Sequence, residues 1–184
     1  GGGRSVLKDG SCGSIGYGIA TAYAKEGANL VITGRNKQKL ADAKEELERL
    51  YNIEVLPVQA DVSAGADNET VVRNVIDETI AKFGRIDVLI NNAQASASGV
   101  AANEWGPDGI NANIICPLAW TAQLENFQQA YPEAFEANVK MPPAGHYGDV
   151  EKEIGRVCVQ LASPDFKYMN GETLTLEGGM GLRP

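Results

Sequence analysis

Segments that look like buried strands alternate with segments that look like helices, and this alternation constrains the fold more than any other feature. The strand-like segments are short, apolar and rich in branched side chains. They cover residues 28–33, 53–60, 86–90, 113–116 and 173–176. Strands separated by helices pair in parallel through right-handed crossovers. The sequence therefore predicts an α/β fold with a doubly wound parallel sheet in three layers.

Three helical segments carry apolar stripes that indicate which faces they bury. The first helix follows Asn36, and its stripe consists of Leu40, Ala43, Leu47 and Leu50. The second is capped by Asp67 or Asn68 and ends at Gly84. Its predicted inner face is formed by Val72, Val75 or Ile76, Thr79 or Ile80, and Phe83. Asp149 is a candidate cap for the third, whose predicted buried residues are Ile154, Val157, Cys158 and Leu161.

The stretch from residue 121 to residue 147 is polar, aromatic and Pro-containing, and it interrupts the alternation. Such loop–helix excursions are typical of segments that cover a site. The aromatic residues in and next to this stretch are Trp120, Phe127, Tyr131 and Phe135. They either line an apolar pocket or form the core stripe of a short helix. Because no linker or repeat divides the chain, we predict a single domain over residues 1–184.

Charge and composition exclude several classes of function. The chain has 16 Lys and Arg against 24 Asp and Glu, a net charge of −8, which argues against binding to nucleic acid. No apolar run is long enough to span a membrane. Cys12, Cys116 and Cys158 are not in metal-ligand spacing and fit a reducing cytoplasm, so we predict a cytoplasmic protein without a metal site.

A glycine-rich stretch at residues 10–18 precedes an Ala-rich helical segment. Glycines at such a turn let the backbone approach a pyrophosphate, whose charge then faces the amides at the helix N-terminus. A plain tight turn is the alternative. The strand and the second strand–helix unit that follow are the context that dinucleotide binding requires, and they favour that interpretation.

The end of the following strand indicates which dinucleotide is preferred. An acidic residue there would bind the ribose hydroxyls, but the sequence reads Thr33-Gly34-Arg35-Asn36. A guanidinium suits a 2′-phosphate through bidentate pairing, so Arg35 favours NADP, with NAD as the second possibility. The alternative is that Arg35 is a solvated side chain at a helix start.

Several landmarks in series resemble those of the short-chain dehydrogenase/reductase family. They lie in the family's order at residues 10–18, 60–62, 87–93, 104–117, 161–165 and 171–179. The resemblance covers nearly the whole chain. It implies a Rossmann-like fold and hydride transfer between a nicotinamide cofactor and a small-molecule secondary alcohol or ketone.

The resemblance also implies a set of cofactor-binding residues. The pyrophosphate turn would be formed by Gly10, Ser14, Ile15 and Gly16, with Ser14 standing where glycine is usual in the family. Arg35 would select the cofactor, and Asp61 and Val62 would edge the adenine. Asn91 and Ala93 would pass beneath the ribose, and Pro117 and Thr121 would lie near the nicotinamide amide. These residues also have purely structural interpretations. Asp61 is then a turn former at the end of a strand, and the side-chain amides of Asn91 and Asn92 connect neighbouring loops.

The family's proton relay is missing. Its members use a tyrosine, a lysine four residues later and an upstream serine, because the substrate oxygen gains negative charge as hydride arrives and needs a proton donor. No tyrosine here is followed by lysine at that spacing. Between Ala93 and Glu104, where the family has several dozen residues, only a short connection remains. We therefore leave the catalytic residues unassigned, with His146 and Tyr147 as the only acid pair on a covering loop.

The short connection also affects the fold and leaves three interpretations open. Without a central strand and the helices beside it, apolar surface and strand edges become exposed, which favours a homo-oligomer. The chain is an NADP-dependent oxidoreductase that does not turn over as written, a non-catalytic NADP-binding protein, or an incomplete or engineered remnant of such an enzyme.

Overall fold

The computed structural model describes residues 14–61, 68–90 and 98–181, and these residues fall into two compact units. The first unit contains residues 1–19 and 95–184, and the second contains residues 20–94. Helix α1 (Ile15–Lys25) begins in the first unit and ends in the second. Among the described residues, each unit has a two-stranded parallel sheet, as expected for a chain whose strands are joined by helices.

The second unit is built on strands β1 (Leu30–Gly34) and β2 (Val55–Gln59), which pair in parallel with Leu30 opposite Val55. The predicted strands at 28–33 and 53–60 are thus confirmed. Helix α2 (Lys37–Tyr51) joins them, and the Asn36 side chain caps it by accepting a hydrogen bond of 3.0 Å from the Lys39 amide.

Helix α2 is tied to β2 by polar contacts as well as by its apolar stripe. Leu40 and Leu47 are buried as predicted, whereas Leu50, at the last turn, is half-exposed. The Lys44 amine donates to the Val55 carbonyl at 2.9 Å, and the Glu48 carboxylate accepts from the Val55 amide at 2.9 Å. The Lys44 contact also lowers the pKa of Glu48.

Helix α3 (Asn68–Phe83) has the predicted extent, and its inner face follows the predicted alternative with Val75, Thr79 and Phe83, whereas the prediction of Val72 is wrong. Thr79 is buried, and Val71 and Val75 are partly buried. Val72, Ile76 and Ile80, which recur at four-residue steps, are between 40% and 45% exposed. The sequence could not choose between the two apolar stripes because both have helical spacing, and the packing against β2 selects the stripe that includes Thr79.

The predicted strand at residues 86–90 is wrong. This segment follows Gly84, pairs with none of the described strands, and leaves Leu89 69% exposed and Ile86, Val88 and Ile90 between 41% and 45% exposed. A strand exists only where a neighbouring strand satisfies its amides and carbonyls. Because no described strand lies beside residues 86–90, a branched apolar sequence is not sufficient here.

The first unit is built on strands β3 (Ile114–Pro117) and β4 (Thr173–Leu176), which pair in parallel with Ile114 opposite Thr173. Both strands agree with the sequence prediction to within a residue. Before β3 lie helix α4 (Ser98–Trp105) and a 3₁₀ turn at Gly106–Asp108. Helices α5 (Ala122–Ala130) and α6 (Pro132–Asn138) follow β3, in the predicted excursion.

The segment that enters β4 is held by asparagine side chains. The side-chain amide of Asn111 donates to the carbonyls of Lys167 and Met169 at 2.7 and 2.8 Å. The side-chain amide of Asn113 donates to the Met169 carbonyl at 2.9 Å. The Asn113 side-chain oxygen in turn accepts from the Glu172 amide at 3.0 Å. These bonds fix the register of β3 against β4.

The last helical segment begins as a π turn (Val150–Gly155) and continues as α7 (Arg156–Leu161) before a 3₁₀ turn at Pro164–Phe166. Asp149 caps it as predicted, because its carboxylate accepts from the amides of Glu151 and Lys152 at 2.9 and 2.7 Å. Ile154 and Cys158 are buried, in agreement with the predicted apolar face. Burial raises the pKa of the Cys158 thiol to about 11, so this thiol stays protonated at neutral pH.

Candidate functional site

A cleft of about 480 Å³ in the first unit brings together three of the residues expected to bind the cofactor. Ile15 lies at the start of α1, Pro117 at the end of β3, and Thr121 four residues later. The cleft therefore lies at the carboxyl end of a parallel strand, where ligands bind in α/β proteins.

The backbone after β3 is positioned by a short parallel bridge. The Leu118 amide donates to Leu176 at 2.9 Å, which extends the β3–β4 ladder by one residue. The Gly148 amide donates to the Leu118 carbonyl at 3.1 Å, and the Trp120 amide donates to the Gly148 carbonyl at 2.9 Å. The chain at 117–121 is thereby held between β4 and the end of the excursion.

Thr121 has a structural and a potential ligand-binding role. Its hydroxyl oxygen caps α5 by accepting a hydrogen bond of 3.3 Å from the Leu124 amide. The hydroxyl proton is not used in that bond and can be donated to an acceptor in the cleft, such as a carboxamide or phosphate oxygen.

The rest of the described lining is mainly apolar and comes from residues that sequence reasoning did not assign to the site. The apolar members are Leu118, Ala119, Leu124, Val139 and Met180. The polar members are Asn138, Lys140 and Tyr147. The Tyr147 hydroxyl donates to the Lys140 backbone carbonyl at 2.9 Å. The cleft thus contains a phenol and an ammonium, although their spacing in sequence differs from that of the family's pair.

The described end of the glycine-rich stretch forms the N-terminus of α1. The Ser14 hydroxyl accepts from the Tyr17 amide at 3.2 Å, and the Ser14 carbonyl accepts from the Gly18 amide at 3.0 Å. Ser14 is therefore the N-cap of α1, a role that its type favours and that glycine could not fill with a side chain. Gly16 lies in the first turn of the same helix. Gly10 lies outside the described residues.

Gly18 has a steric role in the first unit. A Cβ atom built at this position would lie 2.3 Å from the Val150 carbonyl oxygen, so α1 packs directly on the backbone at the start of the π turn. The glycine that ends the sequence motif thus permits a close approach between two backbone segments.

The other predicted site residues fall elsewhere. Arg35 is exposed at the end of β1 in the second unit, and its carbonyl accepts from the Gln59 side chain at 3.0 Å. Asp61 is exposed just after β2. Val62, Asn91 and Ala93 lie outside the described residues. The structure thus assembles Ile15, Pro117 and Thr121, and it leaves the role of the remaining residues as a prediction.

The four aromatic side chains considered as a pocket lining, Trp120, Phe127, Tyr131 and Phe135, pack on one another and do not line the described part of the cleft. The Trp120 ring centroid lies 6.1 Å from that of Phe135 and 5.9 Å from that of Tyr147, both edge to face. Phe127 contacts both Tyr131 and Phe135 at 6.0 Å. The rings therefore pack on one another, as the stripe interpretation requires, but they do not form a buried core, because Tyr131 is 63% exposed and the other three are only partly buried.

His146 and Tyr147, the candidate acid pair, are both engaged in structural contacts. The His146 Nε2 atom lies 2.9 Å from a carboxylate oxygen of Glu153, which raises the pKa of the imidazole. Glu153 also accepts from the Asp149 amide at 2.7 Å, so this contact links the end of the excursion to the π turn. His146 does not line the described cleft.

Two further observations concern metal sites and membrane-spanning helices. Within residues 14–61, 68–90 and 98–181, no three or more His, Cys, Asp or Glu side chains cluster in a way that would hold a metal ion. In the same ranges, no helix has the length and hydropathy that crossing a bilayer requires.

Comparison with known proteins gives matches over most of the chain. The family model described as short chain dehydrogenase matches residues 5–101, and the one described as enoyl-(acyl carrier protein) reductase matches residues 93–181. The two matches overlap at residues 93–101, within the short connection between Ala93 and Glu104.

A 12alpha-hydroxysteroid dehydrogenase from a Clostridium species is 50% identical and covers 97% of this chain and 96% of its own length. The alignment runs over 249 positions, more than the 184 residues of this chain, so the relative has several dozen residues for which this chain has none.

Among solved structures, a short chain dehydrogenase from Bacillus anthracis is 29% identical with a TM-score of 0.66, and each chain is covered to 95%. The L-sorbose reductase of Gluconobacter frateurii, solved with NADPH and L-sorbose, is 20% identical with a TM-score of 0.80 and the same coverage. The second likeness concerns the fold alone.

Proposed function

Because this chain belongs to the short-chain dehydrogenase family, we propose that it binds a nicotinamide dinucleotide in the first-unit cleft and derives from an enzyme that interconverts secondary alcohols and ketones. The observation that carries this proposal is the meeting of Ile15, Pro117 and Thr121 at one cleft. The apolar walls suit the nicotinamide ring, and the Thr121 hydroxyl suits its carboxamide.

NADP is the cofactor we propose first. Arg35 lies at the end of β1, where the family selects between the two dinucleotides, and its guanidinium is suited to a 2′-phosphate. The solved relative with NADPH has the same fold, which is compatible with this choice but says nothing of Arg35.

A hydroxysteroid is the substrate class we propose first, because the relative that is 50% identical acts on one. The apolar lining of the cleft agrees with a large apolar substrate. When bound, the nicotinamide supplies or accepts the hydride; the protein must then donate or accept a proton at the substrate oxygen.

We propose that the chain as written binds the cofactor but does not turn over. The described cleft has no serine to hold the substrate oxygen, and the Tyr147 phenol is already donating its proton to the Lys140 carbonyl. A tyrosine acts at neutral pH when a nearby cation lowers its pKa, which the family arranges with the missing lysine. A non-catalytic NADP-binding role is the second candidate, and it is favoured by the same missing segment.

Two measurements test these proposals. Titration of the purified 184-residue protein with NADPH, followed by the nucleotide's fluorescence, should show saturable binding, and the Arg35→Ala variant should lose about tenfold in affinity for NADPH but little for NADH. Absence of binding contradicts the cofactor proposal, and equal losses contradict the role of Arg35.

The second measurement is the oxidation of NADPH with a keto-steroid, compared with a mock preparation. We expect no turnover. Turnover that disappears in Tyr147→Phe would contradict inactivity and identify Tyr147 as the proton donor.

A further inference from the structure

Asn170 is the one asparagine in the chain that is followed by a glycine, Gly171. In such a pair the backbone nitrogen of the glycine can attack the side-chain carbonyl carbon of the asparagine, because no side chain on the glycine obstructs the approach. Both residues are exposed, in the turn that leads into β4. The fold thus presents to water a residue pair with the sequence that favours asparagine deamidation.

The native turn holds both reacting groups in hydrogen bonds to one residue, Ala112. The Ala112 amide donates to the Asn170 side-chain oxygen at 2.8 Å, and the Ala112 carbonyl accepts from the Gly171 amide at 2.9 Å. The Asn170 side-chain nitrogen donates to the Ala102 carbonyl in α4 at 3.1 Å. Attack requires the Gly171 nitrogen to lose its proton and the Asn170 side chain to close a ring with it, so these three bonds oppose the reaction.

The turn is also weakly buried, so it can open while the rest of the first unit stays folded. Tyr168 is fully exposed, and the bonds that restrain the reacting groups lie at the surface. Surface hydrogen bonds with few buried apolar contacts break with a smaller free energy than global unfolding requires. The Asn111 side chain holds the start of the turn through the carbonyls of Lys167 and Met169. Asn111 therefore limits how often the turn opens.

We propose that Asn170 is a site of spontaneous deamidation, which the closed turn protects and which local opening of the turn makes reactive. On opening, the Gly171 nitrogen forms a bond to the Asn170 side-chain carbonyl carbon, and the side-chain nitrogen leaves as ammonia. Water then opens the cyclic imide at one of its two carbonyls, which gives aspartate or isoaspartate. The reaction needs only water, and it does not depend on the binding of a dinucleotide.

Either product weakens the turn when it closes again. A carboxylate at position 170 can still accept from the Ala112 amide, but it has no proton to donate to the Ala102 carbonyl, so two oxygens face each other there. Isoaspartate also adds a backbone atom just before Glu172, whose amide donates to the Asn113 side chain and whose carbonyl accepts from the Ile114 amide. The reaction therefore loosens α4 and the start of the β3–β4 pair irreversibly.

The reaction can be followed by mass spectrometry without an activity assay. Trypsin releases the peptide from Tyr168 to Pro184, in which Asn170 has the only side-chain amide. A mass change equal to the replacement of NH by O therefore reports on this site alone. At mildly alkaline pH we expect the native protein to react about tenfold more slowly than the protein unfolded in urea. No reaction in the native protein while the unfolded protein reacts, or equal rates in the two, would overturn the proposal.

Two variants decide whether the turn itself gives the protection. Asn111→Ala removes the bonds to Lys167 and Met169 and leaves the reacting groups unchanged, so deamidation of the native protein should become about fivefold faster. Asn29→Ala removes a side-chain bond to the Glu54 amide in the second unit and should leave the rate unchanged. An unchanged rate in Asn111→Ala, or an equal rise in both variants, contradicts protection by the turn.

The structural consequence is measured with Asn170→Asp, which reproduces the product without rearrangement of the backbone. Hydrogen exchange in α4 should become faster, because the bond to the Ala102 carbonyl is lost. Gln123→Glu makes the same change of charge at an exposed position in α5 and should leave exchange in α4 as it is. Exchange in α4 that is the same in the two variants would show that deamidation does not loosen this helix.

Discussion

At the scale of single residues, the hydrogen-bonding chemistry of a side chain explains why it caps a helix. Asp149 and Asn36 are caps because their side chains accept amides at helix starts, as their types predict. Ser14, expected at a pyrophosphate turn, is also a cap. The family's usual glycine could not make that bond, so this departure from the family pattern has a local physical cause.

The His146–Glu153 contact leads to a prediction about pH. His146 is the only histidine in the chain, so its imidazole protons are resolved without assignment in an NMR titration. Its pKa should lie above the ordinary value of 6.5, and Glu153→Gln, which keeps an acceptor for the Asp149 amide, should return it towards that value. An unchanged pKa in Glu153→Gln would mean that the pair does not form in solution.

The sign of the stability effect follows from the two pKa directions. Because the pKa of His146 is raised, its contribution is complete below pH 6.5 and is lost as the pH rises through the raised value. Because the pKa of Glu153 is lowered, its contribution is present above pH 4.5 and is lost as the pH falls through the lowered value. The stability difference from Glu153→Gln should therefore be largest between these limits.

At the scale of elements, apolar spacing located the helices but did not always choose the buried face. Helix α2 has one apolar stripe, and the structure buries its centre. Helix α3 has two adjacent stripes, and packing against β2 selected the one that contains Thr79. Strands β1 to β4 were all predicted from their apolar segments. They form in the structure because each one pairs with a neighbouring strand.

The graded burial along α2 can be measured. Leu47 is fully buried and Leu50 is 48% exposed, although both belong to the predicted stripe. Leu47→Ala should lower the free energy of unfolding by about 2–5 kcal/mol, because it removes buried methyl groups and leaves a cavity. The matched variant Leu50→Ala should cost less than about 1 kcal/mol. Urea denaturation measures both, and comparable losses would contradict the burial of Leu47.

At the scale of the whole molecule, the family and the Rossmann-like class are confirmed by the family matches and by the solved relatives. The expectation of missing residues is also supported, since a relative of 50% identity aligns over more positions than this chain contains. Residues 86–90, which were predicted as a strand, are apolar and exposed. A single domain over residues 1–184 and the oligomeric state stay predictions.

Exposed apolar segments promote association, so residues 86–90 give a prediction about the whole molecule. The chain should sediment as an oligomer, and Leu89→Lys should shift it towards the monomer, because the charge opposes burial of a residue that is 69% exposed. Met141→Lys, at a residue that is 60% exposed in the other unit, should leave the distribution unchanged. A monomeric wild-type protein, or an equal shift in both variants, would contradict the role of this segment.

The sequence by itself determined strands β1 to β4, helices α2 and α3, the Asp149 cap and the family, because these depend on spacing and residue type within short segments. It also named Ile15, Pro117 and Thr121, which lie at or near element ends and line one cleft, and their role in binding stays a prediction. Only the tertiary structure decided that Lys140 and Met180 join them, because loop residues meet through contacts between segments distant in the chain. The same reason explains residues 86–90: whether an apolar segment becomes a strand depends on a neighbour that the segment itself does not encode.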